Sequence, residues 1–177
     1  MVFPDAHDGG STCVPSRHSL NTGHFAARRK QLNWRAGPVL SRSQLTFASV
    51  LRTQGYHTAM VGKWHQGFTM KSPGVFDYEK PLTGGPVDCG FDSFFGMHAS
   101  LDIPPYFYIR DRTPTMAPTE TVGAKDSVGG KEGWNRIQGV FWRAGKVGPD
   151  FKHAEVTPRF AAEAVKVIES HDGKKPL

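Results

Sequence analysis

Apolar residues recur at helical spacing in two stretches of the chain. In residues 43–55, Phe47, Val50, Leu51 and Gln54 share a face and Gly55 closes the pattern. In residues 157–173, Thr157 is placed to cap, Pro158 to take the first turn, and Phe160, Ala161, Ala164, Val165 and Ile168 to form one face, with a stop near Gly173. A third helix is expected to begin near Ser11, Thr12 and Cys13, capped by either hydroxyl, with Pro15 in its first turn and Gly23 at its end. Residues 57–61, His-Thr-Ala-Met-Val, are short, β-rich and mostly apolar, as a buried parallel strand would be. Helix, glycine turn and buried strand make an αβ unit. Gly62, Lys63, Trp64 and His65 then fall just beyond the strand's carboxyl end, where open α/β sheets hold ligands. Residues 1–12 read as a loop and 24–42 as an exposed connection. Residues 68–153 alternate aromatics with glycine and proline, which predicts short strands and long loops.

A length of 177 residues suits one domain rather than two. The 20 glycines and 13 prolines exceed the average share of about 12% and demand many turns, which points to part of a larger fold. A net charge of +6 weakly favours an anionic partner. No apolar run approaches the roughly 18 residues of a membrane span, so no membrane partner is expected. Met1 to Pro4 lack the start of a signal peptide, which leaves a cytosolic protein or a true N-terminus lying elsewhere. Two cysteines, Cys13 and Cys89, allow one disulfide at most and have no zinc-type spacing.

Three chemical patterns fail on inspection. Residues 123–132 resemble a phosphate-binding loop, but Glu132 stands where Ser or Thr must follow the lysine, so a surface loop is expected. The basic cluster from Arg28 to Arg35, with Trp34 inside it, lacks a nucleic-acid reading module and is read as a solvated face, with no nucleic-acid partner. Cys13 and Arg17 are too close for a cysteine phosphatase, which needs five residues between the two.

What remains is Cys13-Val14-Pro15-Ser16-Arg17, followed by Leu20 and Thr22-Gly23. This stretch resembles the Cys-x-Pro-Ser-Arg signature of the formylglycine-dependent sulfatases, members of the alkaline phosphatase superfamily. Residues 55–65, Gly-Tyr-His-Thr-Ala-Met-Val-Gly-Lys-Trp-His, resemble the second signature of that family at the expected separation, and residues 3–7, 90–96 and 99–106 also look like arylsulfatase sequence. The resemblance runs through residues 1–177 and corresponds to the N-terminal part of the catalytic domain. It implies an incomplete α/β fold: part of a mixed, mostly parallel sheet flanked by helices. An aspartate pair before the cysteine motif and an Asp-Asn pair, a His and a Lys after it have no counterpart here, so half an active site is expected.

The resemblance implies hydrolysis of a sulfate monoester, either an aryl sulfate or a sulfated carbohydrate. A formylglycine-generating enzyme would oxidise Cys13 to an aldehyde, whose hydrate attacks sulfur with one hydroxyl and expels sulfate when the second loses its proton. The helix N-terminus favours the charge gathering there. Arg17, one turn along the same face, would hydrogen-bond the hydrate, and Lys63 would hold the sulfate. His65, pointing the same way as Lys63 in an extended segment and titrating near its ordinary 6.5, would accept a proton. Calcium is the implied cofactor, with modified Cys13 as the one ligand matched here. His7 is expected to support the site, Trp64 to pack beneath its loop, and residues 101–108 to shape the substrate pocket. His24 and Gln66 depart from the commoner family residues and bear on substrate preference. The alternatives are a catalytically silent part of a sulfatase and a phosphonate or phosphate ester hydrolase of the same superfamily. By resemblance the setting is periplasmic, secreted or lysosomal, and the isolated chain is expected to bind calcium poorly and to aggregate.

Overall fold

The computed structural model describes residues 2–29, 32–126 and 140–177. Three helices, α1 (Cys13–Thr22), α2 (Phe47–Thr53) and α3 (Val156–Ser170), accompany eight short strands. Four of these form the main sheet in the order β1-β2-β3-β4: β1 (Ala59–Lys63), β2 (Ser93–Met97), β3 (Ile109–Arg110) and β4 (Thr113–Pro114). The β1–β2 pairing is parallel, with Gly62 opposite Gly96, and the other two pairings are antiparallel. The remaining strands form two ribbons, β5 (Glu120–Val122) with β8 (Gly145–Val147) and β6 (Lys125–Asp126) with β7 (Val140–Trp142). The chain is thus a mixed α/β unit, with short strands and long loops in residues 68–126 and 140–153 as expected. No helix among the described residues is long and apolar enough to cross a membrane.

Strand alternation divides the core between the two faces of the sheet. Phe94, Phe107 and Ile109 join Leu40, Ala48, Trp64 and Phe68 on one side. Phe95, Met97, Tyr106 and Tyr108 join Val147, Phe151 and Val156 on the other. The β1 and β2 backbones pack closely at the glycine pair, where a Cβ on Gly96 would collide with the Gly62 carbonyl. Asp111 makes the tight β3–β4 turn with φ 54° and accepts from the Phe94 amide at 2.8 Å, which locks the hairpin to β2.

Local expectations were met unevenly. Helix α1 starts and stops where the sequence says, with Gly23 left-handed at φ 69°, but Thr12 sits at its N-cap without a side-chain cap bond. The Asp8 carboxylate takes over at this end, accepting from the Gly10 amide at 3.2 Å and from Ser16 Oγ at 2.6 Å. The expected strand lies two residues later than its apolar run, so Lys63 is its last residue. Helix α3 begins at Val156, directly on a 3₁₀ turn, which puts Thr157 inside the first turn instead of at the cap. Val156 and Glu163 are its buried residues, whereas Val165 and Ile168 remain 49% and 63% exposed. In α2, a capping box between Thr46 and Ser49 fixes the start. Its apolar stripe stays partly open: Phe47 and Leu51 line a cavity of about 460 Å³ with Ala164, Val167 and Leu177. The 24–42 segment is more than an exposed connection, because Ala26 and Leu40 are buried in it. Lys30 and Gln31 of its basic cluster, and residues 127–132 of the rejected phosphate loop, lie outside the described residues.

Phe107 is fully buried, stacks on His98 at 5.5 Å and meets Phe76 and Tyr78 edge-on. Phe107→Ala is therefore expected to cost about 3–5 kcal/mol, read as a lower urea midpoint of unfolding.

Candidate active site

Cys13 is the first residue of α1 and is exposed, so its sulfur stands at the end of the helix where unpaired amides favour negative charge. Four residues on, Arg17 points away from solvent and donates from Nη1 to the Lys63 carbonyl at 2.6 Å. Burial pulls its pKa down and the charge of nearby Cys13 opposes that, but a guanidinium starting so high stays cationic. Helix and strand end are thus joined across 46 residues of sequence.

Beyond Lys63 the chain keeps hydrogen bonding to the segment after β2: the Trp64 amide donates to Met97 and the His65 amide to His98, both at 3.0 Å. Trp64 is fully buried and donates from Nε1 to the Gly67 carbonyl at 2.9 Å, the packing role expected of it. His65 has φ 54°, so the alternation that would align it with Lys63 ends at the strand's last residue. The ring is 3% exposed, lies edge-on to Trp34 at 4.5 Å, and has no hydrogen-bond partner on either nitrogen among the described residues. Burial first, then the charges of Lys63, His98 and Arg17, push its pKa down to about 3. The ordinary value near 6.5 is overturned: without an anion beside it, His65 is neutral throughout the physiological range. His98 is buried and held at about 4, with Nε2 against the Pro105 carbonyl at 2.7 Å, where it acts as donor. The structure therefore brings Arg17, Lys63 and His65 together, with Cys13 one helical turn from Arg17.

Sequence reasoning gave Gln66 no structural part, yet it is fully buried and donates to the Val14 carbonyl at 2.9 Å and the His65 carbonyl at 3.1 Å. Both partners are acceptors, which fixes the amide's orientation. The backbone carbonyl of Gln66 in turn accepts from the Val39 amide at 2.7 Å. Next to it, Gly67 has φ 80°, and a Cβ there would come within 2.1 Å of the Gly37 carbonyl. The segment containing Trp34 is thereby pressed onto the loop of His65, so Trp34 belongs to the site's wall and not to a solvated face. The only signal in the sequence was an aromatic set among basic residues. His7 does not reach this cluster; its ring is exposed and paired with Asp5 at 2.6 Å. Cys89 is buried, and burial pushes its thiol up to about 12.

Calcium needs six to eight oxygen ligands. Among the described residues no group of three or more His, Cys, Asp or Glu side chains gathers. These residues alone do not fit the ion, and no step below runs through it.

A sulfatase family model matches residues 1–175, and the chain belongs to that family. It is 40% identical to mouse arylsulfatase G over 106 residues, which is 58% of this chain and 18% of the relative. It is 30% identical to human steryl-sulfatase over 122 residues (64% and 19%) and 30% identical to an N-acetylgalactosamine-6-O-sulfatase of Bacteroides thetaiotaomicron over 114 (63% and 22%). The chain spans about a fifth of the length of these relatives. A solved structure from work on glycosaminoglycan metabolism by Bacteroides thetaiotaomicron shares the fold with a TM-score of 0.69 at 23% identity, covering 94% of this chain and 39% of the other.

The two buried histidines have folded-state values below the ordinary 6.5, so the unfolded chain binds protons that the folded one refuses. Their contribution to stability is full above about pH 6.5 and is lost as pH falls toward 4 and then 3. Urea midpoints should fall from pH 7 to pH 5, and His65→Gln should make that fall shallower.

Proposed function

We propose that this chain supplies the nucleophile-bearing part of a sulfuric ester hydrolase, which converts a sulfate monoester and water to an alcohol or phenol and sulfate. One observation carries the reading: the exposed Cys13 at the start of α1 stands one turn from an Arg17 that is itself tied to Lys63 and set beside His65. Oxidised by a formylglycine-generating enzyme, Cys13 would provide an aldehyde hydrate able to displace the alcohol from sulfur.

The remaining work falls to groups in place. The α1 N-terminus and Arg17 bind negative charge next to Cys13, and Lys63 holds the sulfate oxygens, whose charge rises in the transition state. The negative charge of a bound sulfate monoester would raise the pKa of His65 from about 3, giving it more proton affinity when substrate is present. The substrate class spans aryl sulfates and sulfated carbohydrates, in keeping with the names of the relatives.

Production of the chain alongside a formylglycine-generating enzyme tests this. Mass spectrometry of the tryptic peptide from Met1 to Arg17 should show aldehyde in place of thiol, and a chromogenic aryl sulfate should be hydrolysed once the protein is assembled with whatever completes its site. Unmodified thiol under those conditions would refute the reading. In the active protein, His65→Ala should lower kcat by about 10²–10⁴-fold with little change in KM. A rise in KM at unchanged kcat would make His65 a binding residue instead.

A further inference from the structure

Trp34, whose edge meets His65, also lines a cavity of about 300 Å³ at the low end of ordinary ligand sites. Met70, Ile103 and Pro104 give it apolar walls, and His98 closes it on the side facing the His65 loop. Its charges come from two arginines. Arg35 is exposed with its guanidinium 5.2 Å from the Trp34 ring centre, and it has no carboxylate partner among the described residues. Arg143 is held in place by Asp102, from Nη1 to the carboxylate at 2.7 Å and to the carbonyl at 2.8 Å. Its backbone is pinned by the Tyr106 hydroxyl, which donates to the Arg143 carbonyl at 2.8 Å and accepts from its amide at 3.1 Å. Asp102 offsets one of the two positive charges. One remains, on a rim beside an otherwise apolar chamber.

We propose that this cavity receives the leaving-group side of the sulfate ester and selects a sugar ring bearing a second anionic group, carboxylate or sulfate, which Arg35 binds. The assignment rests on the sulfatase reading for its placement beside the reacting centre. A single ring fits the volume, with Trp34 and Pro104 as flat apolar walls. A neutral aryl or steroid leaving group would cover Arg35 without giving it a counter-charge, and a guanidinium taken from water unpaired is unfavourable. An anion on the sugar replaces that lost water with charge-assisted hydrogen bonds, for which the planar guanidinium is well shaped. This is also where the net charge of +6 acquires a local address.

Binding can be read without turnover by using Cys13→Ala protein and calorimetry. The probes are a monosulfated disaccharide containing a hexuronic acid, the same disaccharide with its carboxyl reduced to an alcohol, and a disulfated disaccharide of neutral sugars. The acid or the disulfated sugar should bind at least about tenfold tighter than the reduced one. Arg35→Ala should abolish that difference without weakening the reduced sugar's binding, and Arg35→Lys should restore part of it. The probe with the larger Arg35-dependent gain identifies the anion. Equal affinity for all three sugars, or an equal loss for all three in Arg35→Ala, would overturn the proposal. Failure of the protein carrying Cys13, assembled with what completes its site, to hydrolyse any sulfate ester would instead count against the sulfatase reading and would leave the measured affinities interpretable.

Discussion

A cation held against a carbonyl organises this site. The Arg17 guanidinium, 2.6 Å from the Lys63 oxygen, binds the second turn of α1 to the last residue of β1. A hydrogen bond with a charged donor in a half-buried setting contributes about 1.5–3 kcal/mol. Its greater effect is positional: it sets the distance between Cys13 and Lys63, which belong to elements joined by nothing local. Gln66 adds a second tie, from the loop beyond β1 back to Val14. Two bonds between the same pair of elements resist both sliding and rotation. The helix N-terminus is thereby aimed at the strand end, which is the requirement for charge to be stabilised at one point.

The same packing removes water from the groups nearby. His65 and His98 are kept neutral while Arg17 retains its charge, so the local field is positive and awaits an anion. In such surroundings a bound anion interacts more strongly than it would in water. It also changes the protonation of its neighbours on arrival. The unpartnered ring nitrogens of His65 are consistent with a site whose polar requirements are met only with ligand in place.

Much of this was readable in the residues. The glycines at 23 and 55 and the apolar run before Lys63 are local signals, and local signals gave the helices and the strand, while the four proposed site residues came from the resemblance to the sulfatase signatures. What escaped notice depends on contacts distant in sequence. The left-handed backbone of His65 leaves no trace in composition, and its burial depends on Trp34, 31 positions earlier. Gln66 was read only as bearing on substrate preference, because its partner is a backbone carbonyl 52 residues away that no side chain marks. The stripe of α2 shows a different limit: periodicity shows that a face is apolar but not what covers it. Thr12 makes no side-chain cap bond at α1, and the Asp8 carboxylate beside it accepts from the Gly10 amide and Ser16 Oγ, contacts that no single position announces.

The contact between Gly67 and Gly37 reaches beyond local geometry. With no side chain on either residue, two loops touch backbone to backbone, and the wall containing Trp34 and Arg35 is seated on the loop that ends in His65. The Arg35 side chain projects from a support whose shape does not depend on it. Exchanging it would redraw the rim of the chamber and leave the positions of Arg17, Lys63 and His65 undisturbed, so the frame and its fittings can vary apart.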